Sequence, residues 1–449
     1  MKRNIFLTLS LLVSLQAQDI KSTISEALST NPIVLERLNN FQATKQDIQS
    51  AKSGYYPKLD LNLGAGYERT KRSNQAGGTD DQTYNFTVYQ NSLKLTQNLF
   101  DGFSTTYQLE EQEYRTLAAA YSYVEKVNNT TYEVANAYLE VLKNEELLKT
   151  AQKNVQIDED ILSKVRKIYK SGLTTLSEVS KIESSLALAK ANLVVQENTI
   201  LEKSFALQKL LGHTLDHTKM TKPDMNVKIP KSKKDALEFA LQNNPSLLVS
   251  ELNIKLAQAT NKEKKSYYYP RIDIEISQSM NKNLSGIEGN NDAFRAMAYL
   301  SYNIFNGFSD KSAIAKSFYQ VQQEAQNKNN AKRQIIETLS LAWASNEKVQ
   351  EQLMHLQEYN KFSIQTLDLY NKEYSLGRRS LLDLLSTQND LIRSQEQIIT
   401  AKYSILSSKY KILDTMGILV NTLMQDDANV YAKVGLKVIK QATTTKGSK

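Results

Sequence analysis

The chain has 449 residues, a formal charge of +8, 41% hydrophobic residues and no cysteine. That composition excludes a disulfide scaffold, a cysteine-held metal and a lipid-modified N-terminal cysteine. The positive charge alternates with Glu and Asp along helical stretches, which reads as a solvated helix surface and not as a nucleic-acid footprint.

Lys2 and Arg3 precede an apolar run from Ile5 to Leu15, and Leu15-Gln16-Ala17 is a plausible cleavage site. Residues 1–17 therefore read as a secretory signal peptide. That run is too short to span a bilayer, and no other apolar run reaches the length a helical span requires, so helical membrane spans are not expected. The last residues, Lys433 to Lys449, carry lysines and no acid and read as a basic tail.

Two Asn-Pro junctions follow, Asn31-Pro32 and Asn244-Pro245, the first sign of a duplication. In each, a short helix ends and proline begins the next, where its missing N–H is harmless. Those helices end at Tyr56-Pro57 and Tyr269-Pro270, where the pattern changes from helical to alternating. Leu59, Leu61, Leu63, Ala65 and Tyr67 alternate with polar residues, as do Ile272, Ile274 and Ile276. A polar loop (69–83; 281–292) and a second strand follow, roughly Tyr84 to Leu99 and Phe294 to Phe305. In the first of these the apolar positions shift phase after Val88, which suggests a bulge or a change of environment. Strands of ten or more residues with one apolar face have the length and dyad pattern of transmembrane β-strands. Tyrosines at their bases suit a membrane interface. Four strands leave sheet edges open, which lipid does not permit. Two, three or four chains would close barrels of 8, 12 or 16 strands.

Each hairpin ends in a repeated phrase, Asn98-Leu99-Phe100-Asp101-Gly102-Phe103-Ser104 and Asn303-Ile304-Phe305-Asn306-Gly307-Phe308-Ser309. From Gly102 the next glycines stand at 172 and 212; from Gly307 they stand at 377 and 417. The spacings are identical and no proline intervenes, so each copy reads as a long helix, a turn and a second helix. The longer arm would reach roughly 100 Å. Ala120, Val127, Val134, Val141, Leu148, Val155, Leu162 and Tyr169 recur every seven residues, the period of left-handed coiled-coil packing. Copy two is less regular, with Ile335, Ala342, Val349 and Leu356 as its best row. Its Trp343 takes the place of Tyr138 and reads as a core filler.

At the turns, Gly172 and Gly377 take the left-handed position after a helix. Thr175 with Glu178, and Ser380 with Asp383, have capping-box spacing. Arg378 and Arg379 stand just before Asp383, which leaves an ion-pairing role open beside the cap. His213 and His217 lie four apart and could hold a metal on a helix, but no third ligand is evident.

This ordered set resembles the TolC-like outer-membrane efflux and secretion channels: the Asn-Pro and Tyr-Pro junctions, the Asn-[Leu/Ile]-Phe-[Asp/Asn]-Gly phrase, the duplication and the turn Tyr374-Ser375-Leu376-Gly377-Arg378-Arg379-Ser380-Leu381-Leu382-Asp383. The resemblance implies a mainly α protein with transmembrane β. Four strands per chain would complete a trimeric 12-stranded outer-membrane barrel, continued by a long α-helical periplasmic barrel. It divides the chain into a first repeat at 18–212 (β-hairpin about 57–99, helical hairpin 103–211) and an equatorial linker at 213–238. A second repeat occupies 239–417 (β-hairpin about 270–305, helical hairpin 308–416), and an equatorial segment with tail occupies 418–449. The implied partners are two further copies, a periplasmic adaptor, an inner-membrane transporter of RND, ABC or MFS type, and outer-membrane lipid. No cofactor or enzymatic activity is implied. The gate would comprise Tyr374, Arg379 and Asp383, with Ser177 and Glu178 receiving them. Gly102 and Gly307 would mark the strand-to-helix junctions. A second acid that some members carry one turn beyond the first is Ser386 here, leaving a ring of three carboxylates instead of six. A structural or adhesive coiled-coil protein of the envelope is the alternative; it leaves the amphipathic strands and matched turns unexplained.

Overall fold

The computed structural model describes residues 19–72 and 82–424. The signal-peptide reading, most of the first hairpin loop and the basic tail lie outside the described residues. In chain order come α1 (Ile20–Thr30), α2 (Pro32–Lys52), β1 (Lys58–Arg72), β2 (Gln82–Phe100), α3 (Ser104–Lys170) and α4 (Leu176–Leu211). The second copy gives α5 (Lys233–Asn243), α6 (Pro245–Lys264), β3 (Arg271–Lys282), β4 (Asn290–Ser301), α7 (Ser309–Ser375) and α8 (Leu381–Thr415), and a short α9 (Leu419–Met424) follows. The glycine spacing translates directly: α3 and α7 are each 67 residues, α4 and α8 are 36 and 35. Among the described residues, no helix is long and apolar enough to cross a membrane.

The chain forms two compact units. One contains residues 38–122 and 246–331 and holds the sheet. Its four antiparallel strands run in the order β1-β2-β3-β4, so β1 and β4 are its edges. Pairing Leu59 with Leu95, Leu61 with Leu93, Leu95 with Ile276 and Ile272 with Leu300 puts these side chains on one face. That face is bare: Leu59, Leu61, Leu63, Phe294 and Leu300 are each about two-thirds exposed. The opposite face is polar, with Lys94 donating to Glu275 at 3.0 Å and Asn98 donating to Asp273 at 2.9 Å. Beneath the sheet, Phe41 of α2 is buried on Ala119 and Ala120 of α3.

Two readings of the strands are decided by the structure, the first of them between a bulge and a change of environment. The phase shift in β2 is not a bulge, because its register against β1 runs unbroken from Thr96 to Gln82. Tyr84, Phe86 and Val88 instead point to the polar face, where Val88 and Phe86 oppose Gly66 and Glu68. The glycine leaves room for larger neighbours. The second correction is that β4 ends at Ser301 and not at Phe305.

The other unit contains residues 19–37, 123–245 and 332–424 among those described. The heptad row of α3 is buried at Val127, Val134, Val141, Val155 and Leu162. Tyr138, Leu139, Ile182, Leu207, Leu381, Leu406, Tyr410 and Ile412 are among its most completely buried large side chains. The segment after α4 joins this core: the Tyr138 hydroxyl donates to the Thr221 carbonyl at 2.7 Å and accepts from the Thr221 N–H at 3.0 Å. Trp343 is buried too, with its indole N–H donating to Glu347 at 2.7 Å.

The duplication survives at atomic detail. The Asn31 amide donates to the carbonyl of Leu210 at 3.1 Å, and the Asn244 amide donates to that of Thr415 at 2.8 Å. Leu210 and Thr415 hold equivalent places, each two positions before the glycine that closes its copy, Gly212 or Gly417. Each junction asparagine thus satisfies a carbonyl that the end of a long helix leaves without an intrahelical partner. This explains why asparagine precedes the proline in both copies.

Candidate functional site at the helical hairpin turns

Both turns sit on one apolar cluster. Leu162 and Val165 of α3, Val179 and Ile182 of α4, and Leu381, Leu384 and Leu385 of α8 pack together, and Tyr370 and Tyr374 of α7 lie against them. The two hairpin ends are therefore held side by side by burial, and polar groups act on top of that contact. Gly172 (φ 76°) and Gly377 (φ 70°) close their helices in the left-handed region. Leu173 and Leu376 beside them are largely exposed.

Of the five residues expected to form the gate, Tyr374 and Glu178 meet. The Tyr374 phenol is pushed above its usual pKa of 10.0 by burial first, then by the charge and hydrogen bond of the Glu178 carboxylate. The phenol is the donor in that bond, because an ionised carboxylate can only accept. Glu178 also accepts from the Thr174 hydroxyl at 2.6 Å. Arg379 does not join them within one chain. Its Nε donates to Glu373 at 2.8 Å, its guanidinium lies 4.2 Å from the centre of the Tyr370 ring, and its Nη1 is 4.0 Å from Asp383. The turn folds it back onto its own hairpin.

The capping boxes divide. Ser380 caps α8, accepting from the Asp383 N–H at 3.2 Å and donating to the Asp383 carboxylate at 2.9 Å. Thr175 makes no side-chain cap on α4; its hydroxyl lies 2.7 Å from that of Ser177. With Thr174 on Glu178, the short hydroxyls serve one another and the acid instead of the backbone. Asp383 thus holds three roles at once. It is the cap's partner, it lies in the favourable first turn of a helix, and it is a half-exposed anion beside Arg379.

Sequence reasoning missed several participants. Glu373 and Tyr370 position Arg379; they lie three apart on α7, a same-face spacing that could have flagged them. A further contact was not legible. Asp158 of α3, 2% exposed, accepts from Gln388 of α8 at 2.9 Å and from Ser185 of α4 at 3.0 Å. Burial pushes its carboxyl above the usual range, against those two hydrogen bonds. A raised carboxyl pKa favours folding at low pH, and that contribution is lost as pH rises through the folded value. Asp158→Asn is therefore expected to hold or raise the unfolding midpoint at neutral pH, with the gain shrinking as the medium is acidified. Asp158→Leu takes one acceptor from Gln388, which retains Asn154, and one from the half-buried Ser185, and should cost about 1 kcal/mol or more. Denaturant titrations of both variants at two pH values test this. An unchanged midpoint in the leucine variant would remove the assignment.

The histidines do not converge on a metal site. His213 lies 3.5 Å from Glu26 and His217 lies 2.7 Å from Glu145. Among the described residues, no group of three or more His, Asp or Glu is placed to hold a metal.

Comparison with known proteins agrees with this architecture. The family model described as outer membrane efflux protein matches residues 23–213 and 236–417. The outer membrane efflux protein BepC of Brucella suis biovar 1 is 22% identical over 346 residues, 77% of this chain and 73% of BepC. The outer membrane protein TolC of Vibrio cholerae is 22% identical over 383 residues, 82% of this chain and 84% of TolC. In fold, the chain is similar to the Campylobacter jejuni CmeC outer membrane channel, with a TM-score of 0.78 at 13% identity over 93% of this chain and 89% of that one. It is also similar to the outer membrane protein VceC of Vibrio cholerae, with a TM-score of 0.76 at 16% identity over 89% and 96%. With both copies of its repeat matched, this chain belongs to the outer membrane efflux protein family, the TolC-like channels that span the outer membrane and extend into the periplasm.

Proposed function

We propose that three copies of this chain form the exit duct of a tripartite efflux or type I secretion system. The observation that carries this reading is the sheet: four strands with one bare apolar face, one polar face and two unpaired edges. An open edge is not tolerated in hydrocarbon, and single-chain barrels begin at about eight strands. Three copies supply twelve. The polar face then lines the lumen, and the long helices extend the conduit into the periplasm.

The duct takes cargo from an inner-membrane transporter of RND, ABC or MFS type through a periplasmic adaptor and performs no chemistry on it. Its gate lies at the hairpin turns. Tyr374 on Glu178 holds the second hairpin against the first, and Arg379 on Glu373 holds the turn that presents Asp383. Opening requires a partner that binds the open form better than the closed one. Three Asp383 carboxylates, with Ser386 in place of a second acid, form the ring that selects cations.

Single-channel recording of the mature protein in a planar bilayer tests this. A small cation-selective conductance is expected, and Asp383→Ala should lose most of that selectivity while still conducting. A folded, membrane-extracted oligomer that conducts in neither the wild type nor the Arg379→Ser variant would overturn the channel reading in favour of an envelope scaffold.

A further inference from the structure

The second hairpin is tied to the first at a place the turns do not reach. Gln388 of α8, 3% exposed, donates to Asp158 of α3 at 2.9 Å and to Asn154 of α3 at 3.2 Å. Asp158 and Asn154 stand four apart, on one face of α3. Asp158 precedes Leu162 by four residues and Gln388 follows Leu385 by three, so the contact lies about one helical turn beyond the apolar cluster, on the side away from the turns. The cluster thus stands between this polar contact and the hairpin ends.

The duplication separates what holds one hairpin together from what joins the two. By the offset that relates Gly172 to Gly377, Ser363 takes the place of Asp158 and Asp390 that of Ser185. Each hairpin pairs a hydroxyl with an acid at this level, exchanged between its two helices. Ser185 of α4 donates to Asp158 of α3 at 3.0 Å, while in copy two Tyr359 is hydrogen-bonded to both Ser363 and Asp390. Such pairs are internal to a hairpin and survive its movement as a body. Gln388 has no double of this kind. Its counterpart is Glu183, whose partner is Arg166 of the same hairpin at 2.6 Å. The reach of Gln388 onto α3 is therefore the contact that parting the hairpins breaks.

We propose that Asp158, Asn154 and Gln388 form a second latch of the duct, one that protons tighten. This deepens the gate reading at the turns and rests on it. In the closed arrangement the Asp158 carboxyl is dry; when α8 leaves α3 it meets water. Burial disfavours the charged form, so the carboxyl holds its proton more readily closed than open. By linkage, protonation's contribution to the closed form is fully present below the ordinary carboxyl value and is lost as pH rises through the raised one. An acid medium therefore holds the duct shut, and neutrality loosens it.

The groups that act on the carboxyl after burial are the neutral Ser185 and Gln388. Charges on the surrounding helices are engaged elsewhere. Glu159 of α3 pairs with Lys190 of α4 at 2.8 Å, Arg166 of α3 pairs with Glu183 of α4, and Asp390 and Arg393 of α8 act on Tyr359 of α7. Asp158 is thus a positioning residue: it touches no cargo, and it sets how readily the second hairpin leaves the first.

Bilayer recordings of the full mature chain in a Tyr374→Phe background test the latch, because the resting current is then large enough to fall. Asp158→Asn keeps an oxygen for Gln388 and loses the charge. At about pH 7.5 it should lower the resting conductance about fivefold against Tyr374→Phe alone, and the difference should close as the medium is brought to about pH 4. Asp383, Glu178 and the other shared groups titrate in both proteins, so their effects cancel in the ratio. Gln388→Leu, which removes both bonds to α3, should raise the conductance about tenfold at neutral pH. A ratio of Asp158→Asn to parent that is the same at every pH would mean a structural role only and overturn the proposal. So would a Gln388→Leu variant that conducts as its parent does. In both cases the Tyr374→Phe current itself leaves the channel reading standing. A folded, membrane-extracted oligomer that passes no current in any of these variants would overturn that reading, and the latch with it.

Discussion

Replacing Tyr374 by phenylalanine is expected to raise the resting conductance of the reconstituted channel about tenfold. The substitution removes one hydroxyl and keeps the ring in the apolar cluster with Leu381, Leu384 and Leu385. It removes the hydroxyl on which the Glu178 carboxylate of the first hairpin acts. A hydrogen bond to a charged group contributes about 1.5–3 kcal/mol, and about 1.4 kcal/mol is a factor of ten. The phenol is only partly buried, so the low end applies. Glu178 is not orphaned by the change, because the Thr174 hydroxyl remains on it. The effect should therefore appear in gating and not in folding.

The pH dependence carries a distinct signature. The phenol's folded pKa lies above its ordinary 10.0. A raised pKa means the contact is fully present below the unfolded value and is lost as pH rises through the folded one. Wild-type conductance should be flat from neutrality to about pH 10 on this account and rise only beyond it. Tyr374→Phe should lack that alkaline rise. Arg379→Ser should open the channel by another route, since it frees Glu373 and the turn on which Asp383 stands. Recordings in which Tyr374→Phe matches the wild type at every pH would remove this residue from the gate.

The contrast between these two residues shows where the sequence was sufficient. The matched glycines, at 102, 172 and 212 and again at 307, 377 and 417, marked the ends of α3, α4, α7 and α8, because breakers and their absence are local facts. The period of two marked all four strands, because alternation is a local fact even in β2, where the apolar positions change face after Val88. What escaped depends on how the chain folds back on itself. Arg379 and Glu373 flank one turn, but the geometry that joins them is not written in spacing alone. Asp158 and Gln388 are separated by 230 residues. Thr175 had the spacing of a cap, but Ser177 offered it a closer hydroxyl partner and Thr174 took the acid. The end of β4 was mislocated because the apolar alternation runs on through Tyr302 and Ile304, while the pairing with β3 stops at Ser301.

Gly102→Ala is expected to be the most damaging single-methyl change in the protein. The residue lies at φ 67°, where a Cβ costs roughly 1–2 kcal/mol. The added carbon would also stand 2.6 Å from the Ser266 carbonyl oxygen and 2.8 Å from the Tyr269 Cβ. Neither neighbour is the free end of a flexible side chain. Relief requires moving the segment that leads into β3, and with it the aromatic group formed by Phe100, Phe103 and Tyr269. The damage is therefore steric as well as conformational, and each copy in an assembly suffers it. Gly377→Ala is the control, with φ 70° and nothing described within 4 Å of the added carbon; it should show the conformational cost alone. Heat or denaturant midpoints of the two variants separate the contributions, and Gly102→Ala should fall well below Gly377→Ala. Equal midpoints would mean that the β3 entry yields freely. The strand-to-helix junction would then be a hinge, and the close packing at Gly102 would not couple the sheet rigidly to α3.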